Sequence, residues 1–185
     1  MIKRFFNSFS ILQLVVIAMI ASLGIAAKPI IVPLAHMITG PLYIPGGTIA
    51  GGFYMMWLVL GAGLLGKRGT ATLISLVQAI MVTSLGIFGT HGILSIITYL
   101  APGIAVDLLL LIIRHKGCCM GCLFLAGAIA NITGTFAVNL IFFKLPFVPL
   151  MLTLSSSALS GGVGGVIAYK IVKRLKDFDL LNITT

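Results

Sequence analysis

Glutamate is absent from this chain, and aspartate occurs only three times against twelve lysines and arginines. Two of the acids, Asp177 and Asp179, stand near the C-terminus, which leaves Asp107 as the single carboxylate in the apolar body. That count argues against chemistry needing paired acids: glycosidase pairs, aspartic dyads, carboxylate-held Mg2+ and carboxylate proton relays. Charge of either sign is scarce. Only 8% of residues are charged and 59% are hydrophobic, whereas soluble domains carry about 25% charged residues. The composition is that of an integral membrane protein. A net charge of +9 does not point to nucleic acid, because the basic residues lie between apolar segments rather than on one surface.

Cysteine is scarce too, with three residues gathered in "CCMGC": Cys118, Cys119 and Cys122. Cys119-x-x-Cys122 has a redox or metal-ligand spacing. A structural zinc site needs four ligands, however, and His115 is the one obvious addition nearby. The expectation is small, soft residues at a helix start on a reducing face, with no metal. Ser155, Ser156, Ser157 and Ser160 have no His in their own segment, and no nucleophile–base–acid set is visible. The chain reads as a non-enzyme without a cofactor.

Long apolar runs are what the sequence has in abundance. They fall at 9–27, 48–66, 69–90, 92–113, 118–143 and 146–172, each beyond the roughly 18 residues that suggest a spanning helix. They predict one all-α membrane domain over 1–185, with six transmembrane helices and a short tail at 177–185. Lys3, Arg4, Lys67, Arg68, Arg114, Lys116, Lys170, Lys173, Arg174 and Lys176 then share a side, against Lys28 and Lys144. This positive-inside pattern makes both termini cytoplasmic in a multi-pass cell-membrane protein. "MIKRFF" with "GIAAK" resembles a cleavable signal, but its apolar run is longer than such signals use, so a retained first helix is expected.

Between the first two spans stands "KPIIVPLAHMITGPLYIPGG", residues 28–47, with four prolines. It reads as an extracytoplasmic, partly re-entrant, non-helical lid, with His36 and Tyr43 as candidate ligand contacts. "GAGLLGKR", residues 61–68, fits fragments of two nucleotide-binding patterns. Its glycines end an apolar helix, so they read as close packing ahead of a basic anchor. The sequons at Asn131 and Asn182 fall in a span and on the cytoplasmic side, where neither is used.

Polar residues within spans face a bundle interior or a cavity. Asn131, Thr135 and Asn139 recur every four residues; Ser95, Tyr99, Gly103 and Asp107 do the same on the preceding span. With Tyr54, Trp57 and Gln78 they suggest a pocket in the outer half, capped by His36 and His91 from the connections. Each such residue could instead join helices by hydrogen bonds worth about 0.6–2 kcal/mol. Asp107 stays open between a structural hydrogen-bonding group and a ligand contact. Ala18, Ser22 and Ala26 on the first span, and Ser157, Gly161 and Gly165 on the sixth, form small faces that allow close helix approach.

Six spans, the broken segment after helix one, its small-residue face and the absence of an ATPase motif resemble the S components of energy-coupling factor (ECF) transporters. Residues 46–81, "GGTIAGGFYMMWLVLGAGLLGKRGTATLISLVQAIM", look most like the hydroxymethylpyrimidine/thiamine-type members. The resemblance implies a substrate-binding subunit of an ECF-type ABC importer that takes up a vitamin or vitamin precursor. It would dock through Ala18, Ser22 and Ala26 onto a transmembrane coupling protein with two ATPases, which would carry all ATP hydrolysis. Thiamine-type members carry carboxylates in the loop and third helix, where this chain has glycine, serine or aliphatics. A neutral pyrimidine-like precursor is therefore favoured. A tetrapyrrole (corrinoid or haem) or a metal ion is the alternative substrate, and a stand-alone secondary transporter the alternative class.

Overall fold

The computed structural model describes residues 9–39, 46–86, 94–114, 117 and 119–178. Among them it is all helical: α1 Ile11–Ala26, α2 Lys28–Thr39, α3 Gly46–Leu65, α4 Thr70–Leu85, α5 Leu94–Ile112, α6 Met120–Val138 and α7 Phe147–Asp177. A π-helical turn, Asn139–Phe143, ends α6.

Local chemistry starts and stops these helices. Ser10 and Gln13 form a reciprocal capping box at α1, and the Gln13 side chain also accepts from Lys67 Nζ at 2.9 Å. Between α3 and α4 the chain turns through Gly66 (φ 59°) and Gly69 (φ 86°), a left-handed backbone that glycine adopts without steric cost. The glycines of "GAGLLGKR" thus serve packing and turning: a side chain at Gly61 would strike Ile74, and one at Gly63 would press on Leu123.

Helix α3 is the axis of the bundle and packs against every other helix, most extensively α7. Its approach to α7 is backbone to backbone, because Gly52 and Gly164 face one another where a Cβ would collide with a carbonyl. Gly127 of α6 and Gly161 of α7 meet in the same reciprocal way, and Gly165 lies against the Leu123 carbonyl. The partner of the small face on the last span is this chain itself. In lipid such contacts hold helices together by van der Waals packing, not by expulsion of water. Leu58, Val59, Ile74, Val106 and Leu123 fill the remaining core.

Two expectations are corrected. Residues 28–39 are helical, not an extended lid, and only Ala27 separates α2 from α1. Pro29 stands in the first turn of α2, where its missing N–H needs no intrahelical partner, so it does not stop the helix. Pro33 leaves the Pro29 carbonyl without its usual donor, yet the helix continues to Thr39. Gly46 and Gly47 open α3; residues 40–45, Tyr43 included, lie outside the described residues. The second correction concerns the thiols. Cys119 and Cys122 form a disulfide at the start of α6, where Cys119 Sγ also accepts from the Cys122 N–H at 3.2 Å.

Five helical stretches among the described residues are long and apolar enough to cross a membrane: Ile11–Thr39, α3, α5, Met120–Phe143 and α7. Helix α4 is apolar but shorter, at 16 residues. The 29 residues of Ile11–Thr39 reach about 43 Å at 1.5 Å per residue, beyond a hydrocarbon core of about 30 Å. α2 follows α1 at one end of the bundle, after the turn at Ala27. At the opposite end stand Lys67, beside Gln13, and Lys176, whose Nζ donates to the Gly63 carbonyl at 3.1 Å.

Candidate functional site

The polar and aromatic side chains sort into three groups. At the end of the bundle away from Lys67, the Lys28 ammonium projects from the first residue of α2 toward α3 and α5. Its Nζ donates to Tyr99 Oη at 2.6 Å, and lies 3.9 Å from the Tyr99 ring centre and 4.6 Å from that of Tyr54. These are cation–π distances, and both rings are partly withdrawn from solvent. The Tyr54 hydroxyl donates to the Gly47 carbonyl at 2.9 Å, which fixes that ring under the start of α3.

One turn along each helix, Gly24 faces Trp57 and Gln78. A methyl at Gly24 would sit 3.3 Å from Trp57 Cβ and Cδ1 and would collide with the Gln78 amide. Glycine is needed there because two larger side chains occupy the space. Gln78 Nε2 donates to the Ala21 carbonyl at 3.4 Å. Among the described residues, Trp57 Nε1 is buried without a hydrogen-bond partner, as is Ser95 Oγ. A buried donor without an acceptor is costly, so each is a place where a ligand atom would be welcome.

The second group is held in hydrogen bonds between helices and at the end of α6. Asn131 Nδ2 donates to the carbonyls of Thr48 and Ser157, both at 2.9 Å, and Thr135 and Ser157 share a hydrogen bond of 2.7 Å. With Ser160, whose hydroxyl bonds to the Ile49 carbonyl and the Gly52 N–H, they tie α3, α6 and α7 together. Asn139 accepts from the Leu145 N–H at 3.0 Å and closes the turn after α6. The four-residue stripe of the sequence is therefore a seam of interhelical bonds and a cap. Asp107 is the third element: its Oδ2 accepts from Thr72 N at 2.8 Å and Thr72 Oγ1 at 2.6 Å. A carboxylate on α5 caps the first turn of α4, where aligned N–H groups favour negative charge.

The structure thus brings Tyr54, Trp57, Gln78 and Tyr99 into one neighbourhood and puts Asn131, Thr135 and Asn139 into other bonds. His36 is exposed on α2, with its ring against Gly46. Tyr43 and His91 lie outside the described residues. Sequence reasoning missed Lys28, which it sorted by membrane side alone. The available signal was a cation within an apolar run, in a chain that has no acid anywhere before Asp107. Ala18, Ser22 and Ala26 are all exposed on α1, with the Ser22 hydroxyl at the edge of α4, 3.8 Å from Met81 Sδ.

Comparison with known proteins places this arrangement. The family described as "ABC-type cobalt transport system, permease component" matches residues 11–133, from the start of α1 to within α6. The chain belongs to that family. No curated protein matches it. A solved structure titled "Crystal structure of an S-component of ECF transporter" superposes with a TM-score of 0.80 and 18% identity, over 96% of this chain and 90% of that one. This cobalt-type permease component therefore has the fold of an ECF S component, as its sequence led one to expect. The family name concerns a metal. Among the described residues, no three His, Cys, Asp or Glu side chains gather as a metal-binding group.

Proposed function

We propose that this permease component is the substrate-binding subunit of an ECF-type importer. It would capture a vitamin or vitamin precursor from outside the cell, with a pyrimidine-related compound favoured. A transmembrane coupling protein and two ATPases would provide the energy. The observation that carries this reading is the Lys28–Tyr54–Trp57–Tyr99 neighbourhood, set in an S-component fold at the end opposite Lys67 and Lys176. The positive-inside bias would make the basic end cytoplasmic and turn the neighbourhood toward the outside. Support for the docking role comes from Ala18, Ser22 and Ala26, which leave a small-residue face on α1 uncovered. The chain would have no catalytic residue of its own.

A metal ion as the transported substrate is the second reading, favoured by the family's description. An ammonium at the centre of the neighbourhood opposes it, since like charges at close range repel strongly at low dielectric. The test is reconstitution in proteoliposomes. The purified chain should bind substrate alone, and ATP-driven uptake should appear only when coupling protein and ATPases are added. Uptake by the chain alone, driven by an ion gradient, would overturn the proposal.

A further inference from the structure

We infer that Lys28 and Tyr99 form a two-donor clamp for the carboxylate of an organic monoanion. This deepens the capture reading and rests on it.

Charge gives the first argument. No Asp or Glu occurs in residues 1–106, Asp107 is engaged by Thr72, and Asp177 and Asp179 belong to the far end of the chain. Lys144, the other cation assigned to this side, is exposed to solvent. Lys28 instead lies half-buried against α3 and α5, with ring faces and a phenol oxygen around it but, among the described residues, no carboxylate. An ammonium withdrawn from water is stabilised only in part by ring faces, and a bound anion would complete the pair.

Donor geometry gives the second. Tyr99 Oη accepts from Lys28 Nζ at 2.6 Å, so its own proton points elsewhere and meets no acceptor among the described residues. Two donors thus stand side by side, at a spacing that the two oxygens of one carboxylate can bridge. Tyr54 contributes a ring but no donor, because its hydroxyl is held by Gly47. The buried N–H of Trp57, one turn of α3 away, adds a third unpaired donor. A neighbourhood with donors in excess selects a ligand rich in acceptors.

Stoichiometry selects the anion. A phosphate monoester carries about −1.5 to −2 charges at pH 7 and would leave excess negative charge against one cation. A carboxylate neutralises it. A divalent cation or a thiamine-like cation would be repelled.

The experiment uses the full chain purified in detergent, with thermal shift and equilibrium binding as readouts. The probes are a panel of heteroaromatic carboxylic acids, pyrimidine and pyridine acids included, beside the matching carboxamides, thiamine and Co2+. Acids should bind and stabilise the protein while their amides do not. Lys28→Met should weaken acid binding by about tenfold or more, the loss expected when a hydrogen bond to a charged group is removed. Lys28→Arg should restore most of that loss, and Tyr99→Phe should weaken binding while keeping the ring. The Lys28→Arg and Tyr99→Phe variants keep the inference testable if Lys28→Met fails to fold. If amides, thiamine or Co2+ bind instead, equally well to wild type and Lys28→Met, the clamp is refuted while the capture reading stands. If nothing in the panel binds, the clamp is refuted, and the capture reading is decided separately by uptake in the proteoliposomes with coupling protein and ATPases.

Discussion

At the residue scale, the same side-chain type serves different ends according to its partner. Asp107 shows this clearly. It stands on a span with Tyr99 and shares its helical spacing, yet its oxygen is held by Thr72 while Tyr99 turns to Lys28. Asp107→Ala should leave the first turn of α4 without its cap and lower stability by about 1–3 kcal/mol. Thermal unfolding in detergent, in a double-mutant cycle with Thr72→Val, measures it. A sub-additive double mutant is expected because the two changes remove one interaction. Ligand binding should survive Asp107→Asn if the protein stays folded, since the carboxylate plays no part in the clamp. Loss of binding in a folded Asp107→Asn variant would place Asp107 in the site instead.

At the element scale, glycine decides how closely helices approach, and proline decides less than expected. Gly161 faces Gly127 across the α6–α7 contact with no room for a Cβ. Gly161→Val should force these helices apart and cost about 1–3 kcal/mol, the usual penalty for overpacking. A reduced melting temperature with retained helical circular dichroism is the expected signature. The Cys119–Cys122 disulfide makes the opposite prediction. It closes a short loop at a helix start, and Ser is itself a good N-cap. A Cys119→Ser/Cys122→Ser double variant should keep the fold and change stability little on the same thermal scan. Proline did not break residues 28–39 because one of the two prolines there falls in a first turn. Sequence pattern alone does not say which turn is the first.

At the scale of the whole molecule, binding and energy coupling are separable. The clamp belongs to α2, α3 and α5, whereas Ala18, Ser22 and Ala26 face outward from α1. Ala18→Leu and Ala26→Leu should therefore spare binding by the purified chain and abolish uptake in proteoliposomes containing coupling protein and ATPases. Normal uptake by these variants would remove α1 as the docking face.

The sequence by itself determined the class of molecule. Scarcity of acids argued against chemistry that needs paired carboxylates, and the length of its apolar runs required membrane-crossing helices, because lipid leaves backbone groups no partner but one another. The spacing of Ser157, Gly161 and Gly165 also marked one face where helices approach. Only the tertiary structure decided which polar residues work together. Four-residue periodicity places side chains on one face of one helix but does not say what lies opposite. Asn131 and Tyr99 looked equivalent until Ser157 and Thr48 were found across from the first, and Lys28 across from the second. Lys28 acquires its chemical meaning there: a charge in lipid is defined by its neighbours, and these come from helices separated by up to 71 residues in the chain.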